Sequence, residues 1–160
     1  MTGQKTRVLI VENNQDLCDV MEALLNEEVD MELVGSVHDG IQALDMIARH
    51  KPDVVLLDMI MPYLDGLGVL TKLAEDASEY RPKVVVVSAF EEEEMIKRCA
   101  RLGADYYLLK PFDRGNLVNR IRQVVATEPQ MARQRPDRSG VTPARTDRNR
   151  ERRPRGSGFD

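Results

Sequence analysis

Short apolar runs alternate along the chain with segments whose apolar positions recur at helical spacing. Val8-Leu9-Ile10-Val11 is the first run. Asp16 to Glu28 follows, with apolar residues at 17, 20, 21, 24 and 25, one face of a helix. The alternation then repeats. Met31 to Val37 reads as a strand and Ile41 to Ala48 as a helix; Asp53 to Leu57 reads as a strand and Leu67 to Ala74 as a helix, ahead of the break at Pro82. Lys83 to Val87 is the most strand-like stretch, and Glu91 to Arg101 is a helix stopped at Gly103. Tyr106 to Leu109 makes a fifth strand. Asp113 to Val125 makes a fifth helix with Asp113 as its N-cap.

The order is (βα)5. Strands of four or five residues that are apolar on both faces belong in a parallel sheet with helices on both sides. In such a doubly wound sheet, function gathers at the carboxyl ends of the strands beside the topological switch point.

Composition divides the chain near Ala126. Beyond it stand nine arginines against five acids, four prolines, three glycines and few large apolar side chains. Such a stretch buries too little surface to offset the entropy of ordering, so 127–160 is expected to be a disordered Arg/Pro-rich tail. Residues 1–126 are acidic, with 14 basic and 22 acidic side chains. No apolar run exceeds about five residues, against the ~20 of a membrane span. Residues 1–7 carry no apolar core of a signal peptide. Cys18 and Cys99 lie in amphipathic patterns and read as reduced thiols. The expectation is a cytoplasmic protein with no membrane partner.

The strand ends carry the candidate chemistry. Glu12, Asn13 and Asn14 follow the first strand, Asp58 ends the third, Ser88 follows the fourth, and Lys110-Pro111 follows the fifth. Carboxylates suit Mg2+, which takes oxygen ligands and keeps several waters. Asp58 could also act as a nucleophile toward a phosphoryl group, with Ser88 and Lys110 holding the added oxygens. Each residue alone has a plainer reading. A strand-ending Asp is commonly a turn residue, and Ser88 could cap the helix expected from Glu91. Their convergence from four strand ends favours the functional reading.

Asp58-Met-Ile-Met-Pro62 with Asp65-Gly66, Ser88-Ala89 and Lys110-Pro111 resembles the receiver domain of bacterial two-component response regulators, over roughly residues 5–126. The resemblance implies a flavodoxin-like fold with sheet order 2-1-3-4-5. It makes Asp58 the phosphoacceptor, Ser88 the switch hydroxyl, Lys110 the phosphate-contacting lysine and Tyr107 the switch aromatic that turns inward on activation. It places Mg2+ among Glu12, Asn13, Asp58 and the carbonyl of Ile60, and makes the Lys110–Pro111 bond cis. The implied donor is a histidine kinase or a histidine phosphotransfer protein, and phosphorylation is expected to favour a homodimer.

A narrower likeness joins Met61 to Leu67, Lys110 to Asp113, Asn116 to Val118 and Ile121 to Val124 to the receiver of the stage 0 sporulation master regulator of endospore-forming Firmicutes. It implies control of sporulation initiation, through transcription in full-length relatives. Those relatives carry a DNA-binding domain. The 34 residues beyond Ala126 lack the length and periodicity of a helix-turn-helix, so specific DNA binding is not expected here. His38 and His50 stand isolated in sequence, which argues against a phosphohistidine or metal role for either.

One position departs from the receiver pattern. Asn13 stands where the resemblance calls for a metal-ligating aspartate. A unit charge lost about 4 Å from the ion removes up to ~4 kcal/mol of gross attraction at an effective dielectric near 20. Weaker Mg2+ binding and slower phosphorylation follow. The alternative that keeps the fold and drops the chemistry is a phosphorylation-independent pseudo-receiver, an interaction module. A flavin-binding protein of similar topology fits the converging acids poorly. An aspartate-nucleophile phosphatase would want a second carboxylate where Ile60 stands.

Overall fold

A computed structural model of the chain describes residues 4–127. Ten elements alternate in order: β1 Thr6–Val11, α1 Gln15–Asn26, β2 Met31–Val37, α2 Gly40–His50, β3 Val54–Asp58, α3 Gly66–Glu75, β4 Lys83–Ser88, α4 Glu93–Arg101, β5 Tyr106–Leu109 and α5 Arg114–Ala126. The five strands form one parallel sheet in the order β2-β1-β3-β4-β5. This is the doubly wound arrangement expected from the alternation. The expected tail, apart from Thr127, lies outside the described residues.

Both faces of the sheet are covered, and the period-2 alternation of the strands divides the core in two. Leu9, Val11, Val55, Leu57, Val84 and Val86 face one layer, completed by Ala43 and Ile47 of α2, Val69 and Leu70 of α3, and Ile96 and Cys99 of α4. Val8, Ile10, Val54, Leu56, Val85 and Val87 face the other, with Cys18, Met21 and Leu25 of α1 and Leu117, Val118 and Ile121 of α5. This is why the strands read as continuous apolar runs. Both cysteines are free and buried, and burial pushes the Cys99 thiol up to about 12.

Side-chain caps start four helices. Asn14, Asp39, Asp65 and Asp113 each accept a hydrogen bond from the backbone N–H three residues on. The fifth differs from expectation. Helix α4 begins at Glu93 and not at Glu91, because the preceding backbone is committed elsewhere: Phe90 N–H donates to Ser88 Oγ, and the Phe90 carbonyl accepts from the Tyr107 hydroxyl. Glu93 and Glu94 still lie in its first turn, where the helix dipole favours them. Gly103 follows this helix with φ +107°, a backbone conformation that L side chains rarely adopt. Helix α1 ends two residues before the expected Glu28. Its last bonds tighten to three-residue spacing, and Glu27 and Glu28 pair with Arg114 of α5. Among the described residues, no helix is long and apolar enough to cross a membrane.

Candidate functional site

Strand register builds the site. Val11 pairs with Val37 on one side and Leu57 on the other, so Glu12, His38 and Asp58 emerge together where β1 and β3 part toward opposite edges. Asp58 pairs with Val87 and Ser88 with Leu109, which brings Ser88 and Lys110 to the same edge. A crevice at the carboxyl ends of diverging strands is where open α/β sheets bind ligands. Gly66 closes the loop after β3. Its N–H donates to the Met59 carbonyl at 3.0 Å, and a Cβ there would lie 2.6 Å from the Asp58 carbonyl oxygen.

The two carboxylates are Glu12, 1% exposed, and Asp58, 7% exposed. Asp58 is held loosely. Its Oδ2 accepts from Asn13 N–H at 3.5 Å, its Oδ1 accepts from Ile60 N–H at 3.4 Å, and Lys110 Nζ lies 3.6 Å from Oδ1. Glu12 is held from one side. Its Oε2 accepts from Asn14 N–H at 3.0 Å and from Lys110 Nζ at 3.4 Å. Glu12 Oε1 lies 3.3 Å from the same ammonium, outside hydrogen-bond geometry, and is buried without a hydrogen-bond partner. Burial pushes the Glu12 carboxyl up, aided by the Asp58 charge, while Asn14 N–H and Lys110 pull the other way; the net direction is upward.

Ser88, 2% exposed, accepts Phe90 N–H at 3.0 Å. Its hydroxyl therefore braces the loop and does not cap α4. Tyr107 is fully buried, with its hydroxyl donating to the Phe90 carbonyl at 3.0 Å, so the ring stands in the inward position. Burial pushes its phenol up and a hydrogen bond from Ser88 partly offsets that. The Lys110–Pro111 bond is cis, in line with the resemblance.

The structure thus gathers Glu12, Asn13, Asp58, Ser88 and Lys110 at one edge. Asn13 contributes a backbone N–H, and its side chain is exposed. Ile60 is exposed and gives Asp58 its N–H. Tyr107 lies one layer below. His38, isolated in sequence, proves to be a site neighbour: its ring Nδ1 lies 3.0 Å from the Glu12 carbonyl oxygen. Its place immediately after β2 was the one available signal.

Among the described residues no three His, Cys, Asp or Glu side chains converge as a cation site. The donor set is two carboxylates, one with an unsatisfied buried oxygen, joined by neutral oxygens. That set fits Mg2+, which needs only one or two carboxylates and retains water.

Two carboxylates, a hydroxyl and an ammonium at the switch point of a 2-1-3-4-5 sheet define a flavodoxin-like α/β protein with an anion- and cation-competent crevice. More specifically, residues 8–122 match the response regulator receiver domain model, and the chain belongs to that family. Solved structures agree. The signal receiver domain of the response regulator NarL from Mycobacterium tuberculosis is 28% identical with a TM-score of 0.74, covering 79% of this chain and 100% of that one. The response regulator domain of Thermotoga maritima CheB is 28% identical with a TM-score of 0.72, at the same coverage. The receiver domain of a sensor histidine kinase from Pseudomonas aeruginosa PAO1 is 27% identical with a TM-score of 0.68, covering 77% and 99%; that structure has a magnesium ion coordinated in its active-site cleft.

Proposed function

We propose that the chain is a working phosphoacceptor, taking a phosphoryl group on Asp58 from a phosphohistidine on a histidine kinase or histidine phosphotransfer protein, with Mg2+. The observation that carries this reading is the placement of Asp58. Its carboxylate lies in the crevice, loosely held at 3.4–3.6 Å, beside the Lys110 ammonium and an unsatisfied Glu12 oxygen. An Asp58 carboxylate oxygen attacks phosphorus, and the phosphorus–nitrogen bond of the donor breaks. The electron pair stays on the imidazole nitrogen, and an acyl phosphate results. Lys110 and Ser88 donate hydrogen bonds to the oxygens of the incoming group. Glu12, Asp58, the Asn13 amide oxygen and the Ile60 carbonyl are the groups that would hold Mg2+, which offsets phosphoryl charge when bound.

The signal then passes through Ser88 and Tyr107 to the surface of α4, β5 and α5, where a second copy docks. The product is a signalling state, so the chain is a switch rather than an enzyme. We assign residues 1–126 to the receiver and 127–160 to a tail, without specific DNA binding, in the cytoplasm. The likeness at 61–67, 110–113, 116–118 and 121–124 supports initiation of sporulation as the pathway. Asn13 favours one second reading, the phosphorylation-independent pseudo-receiver.

Intact mass after incubation with acetyl phosphate separates the two. One added phosphoryl group that requires both Mg2+ and Asp58, absent in Asp58→Asn, is the expected result. No gain at any Mg2+ concentration selects the pseudo-receiver. In the working receiver, Asn13→Asp lowers the Mg2+ needed by about tenfold, the added charge being partly offset by its desolvation.

A further inference from the structure

The end of β2 holds the Glu12 backbone at both its N–H and its carbonyl. Glu12 N–H donates to the Val37 carbonyl at 3.0 Å, and His38 Nδ1 lies 3.0 Å from the Glu12 carbonyl oxygen. A carbonyl only accepts, so the ring nitrogen facing it carries the proton and donates. The Glu12 carbonyl and the Asn13 N–H belong to one planar amide unit. That same Asn13 N–H points at Asp58 Oδ2, 3.5 Å away. One peptide unit therefore joins two hydrogen bonds in series, from the His38 ring to the Asp58 carboxylate.

From this juxtaposition we propose that His38 is a positioning residue for chemistry at Asp58, acting through the Glu12–Asn13 peptide. The inference rests on the function proposed above and extends it to a residue on β2's exit. A donor on the carbonyl polarises the amide, so its N–H becomes a stronger donor to the negative oxygen beyond. It also fixes the plane of the peptide, and with it the aim of that N–H. Asp58 starts as a full anion and gives up charge as its oxygen attacks phosphorus, so the benefit is one of orientation: a pre-aimed donor 3.5 Å from Oδ2 holds the carboxylate in one rotation for the attack.

His38 sits between two fixed points of the backbone, Val37 paired with Val11 and the Asp39 cap of α2. Its own N–H faces Gln42 Oε1 at 3.5 Å, and Gln42 N–H is held by the Asp39 cap at 2.8 Å. The ring therefore projects from the junction of β2 and α2, a firmer base than a free loop. No metal ion, charge change or movement of His38 enters the argument. A hydrogen bond through the backbone also explains why no sequence motif announces the residue.

The test pairs two variants of the full chain. His38→Phe keeps a ring of similar size and removes the donor. His38→Asn restores an N–H close to the position of Nδ1. Two readouts are taken: the Asn13 amide proton shift in asparagine-labelled protein without Mg2+, and the rate of phosphorylation by acetyl phosphate with Mg2+. The expected result is an upfield Asn13 shift and about fivefold slower phosphorylation in His38→Phe, the scale of one neutral hydrogen bond. Both return toward wild type in His38→Asn. An unmoved Asn13 amide in His38→Phe overturns the proposal. So does equal impairment of both variants, which would make the ring's packing the cause. If wild type takes no phosphoryl group at all, the proposed function fails, and the Asn13 shift alone decides the role of His38.

Discussion

The two edges of the sheet use the same kinds of groups and finish them differently. At the amino edge, Asp53 Oδ2 accepts Arg7 N–H at 2.8 Å, and the Arg7 guanidinium donates to the carbonyls of His50 and Lys51 at 2.7 and 3.0 Å. Tyr80 hydroxyl donates to the Pro52 carbonyl at 2.6 Å, and Asp105 Oδ2 accepts Val84 N–H at 2.8 Å. At the carboxyl edge, Asp58 has no contact shorter than 3.4 Å among those above, and Glu12 keeps a buried oxygen without a hydrogen bond. Each edge thus has carboxylates and a cation. One edge satisfies them internally and stabilises the fold; the other leaves them under-satisfied, ready for an incoming ligand.

The largest effect expected from breaking this contrast comes at the carboxyl edge. Lys110→Ala removes the ammonium shared by Glu12 and Asp58. Acetyl phosphate labelling of Asp58 should slow by about a hundredfold, the scale of losing one pre-aimed stabilising group. Labelling at the wild-type rate would show that Lys110 only neutralises its neighbours.

Tyr80→Phe probes the opposite edge and should do the reverse. It deletes the donor to Pro52 while keeping the ring beneath Lys51. A loss of about 1 kcal/mol in urea denaturation is expected, with the phosphorylation rate unchanged. A matching drop in labelling would mean the edges are coupled through the sheet, and the contrast would be one of degree.

Legibility in the sequence followed the same divide between local and distant causes. The strands were readable because each is buried on both faces, so Val54 to Leu57 and Val84 to Val87 show as unbroken apolar runs. Asp58, Ser88 and Lys110 were readable because a strand end is a place the apolar pattern itself marks. The start of α4 was not, since Phe90 is withheld from the helix by Ser88 and Tyr107, the latter 17 residues away. His38 was missed for a like reason. Its contact with Glu12 crosses 26 residues and ends on a backbone carbonyl, which every residue type possesses. Nor does any local pattern link Tyr80 to Pro52 or Arg7 to Lys51.

The smallest predicted effect is the most direct measure of under-satisfaction. Burial raises the Glu12 carboxyl above its unfolded value of 4.5, so between the two values the folded chain holds a proton that the unfolded chain has released. The unfolded state then binds fewer protons, and stability falls as pH rises through that window. Above it the cost of the buried charge is present in full. Asp30 has the opposite sign. Arg122 holds it below 3.8, so its contribution is present above that value and fades only as pH falls further, outside the Glu12 window. Glu12→Gln removes the charge and keeps the shape. In metal-free protein, urea denaturation between about pH 4.5 and 8 should therefore show a flatter decline for Glu12→Gln and a small gain in stability at neutral pH. Identical slopes for variant and wild type would mean that Lys110 and Asn14 already satisfy Glu12. The carboxyl edge would then be no less complete than the amino edge, and the crevice would owe its openness to Asp58 alone.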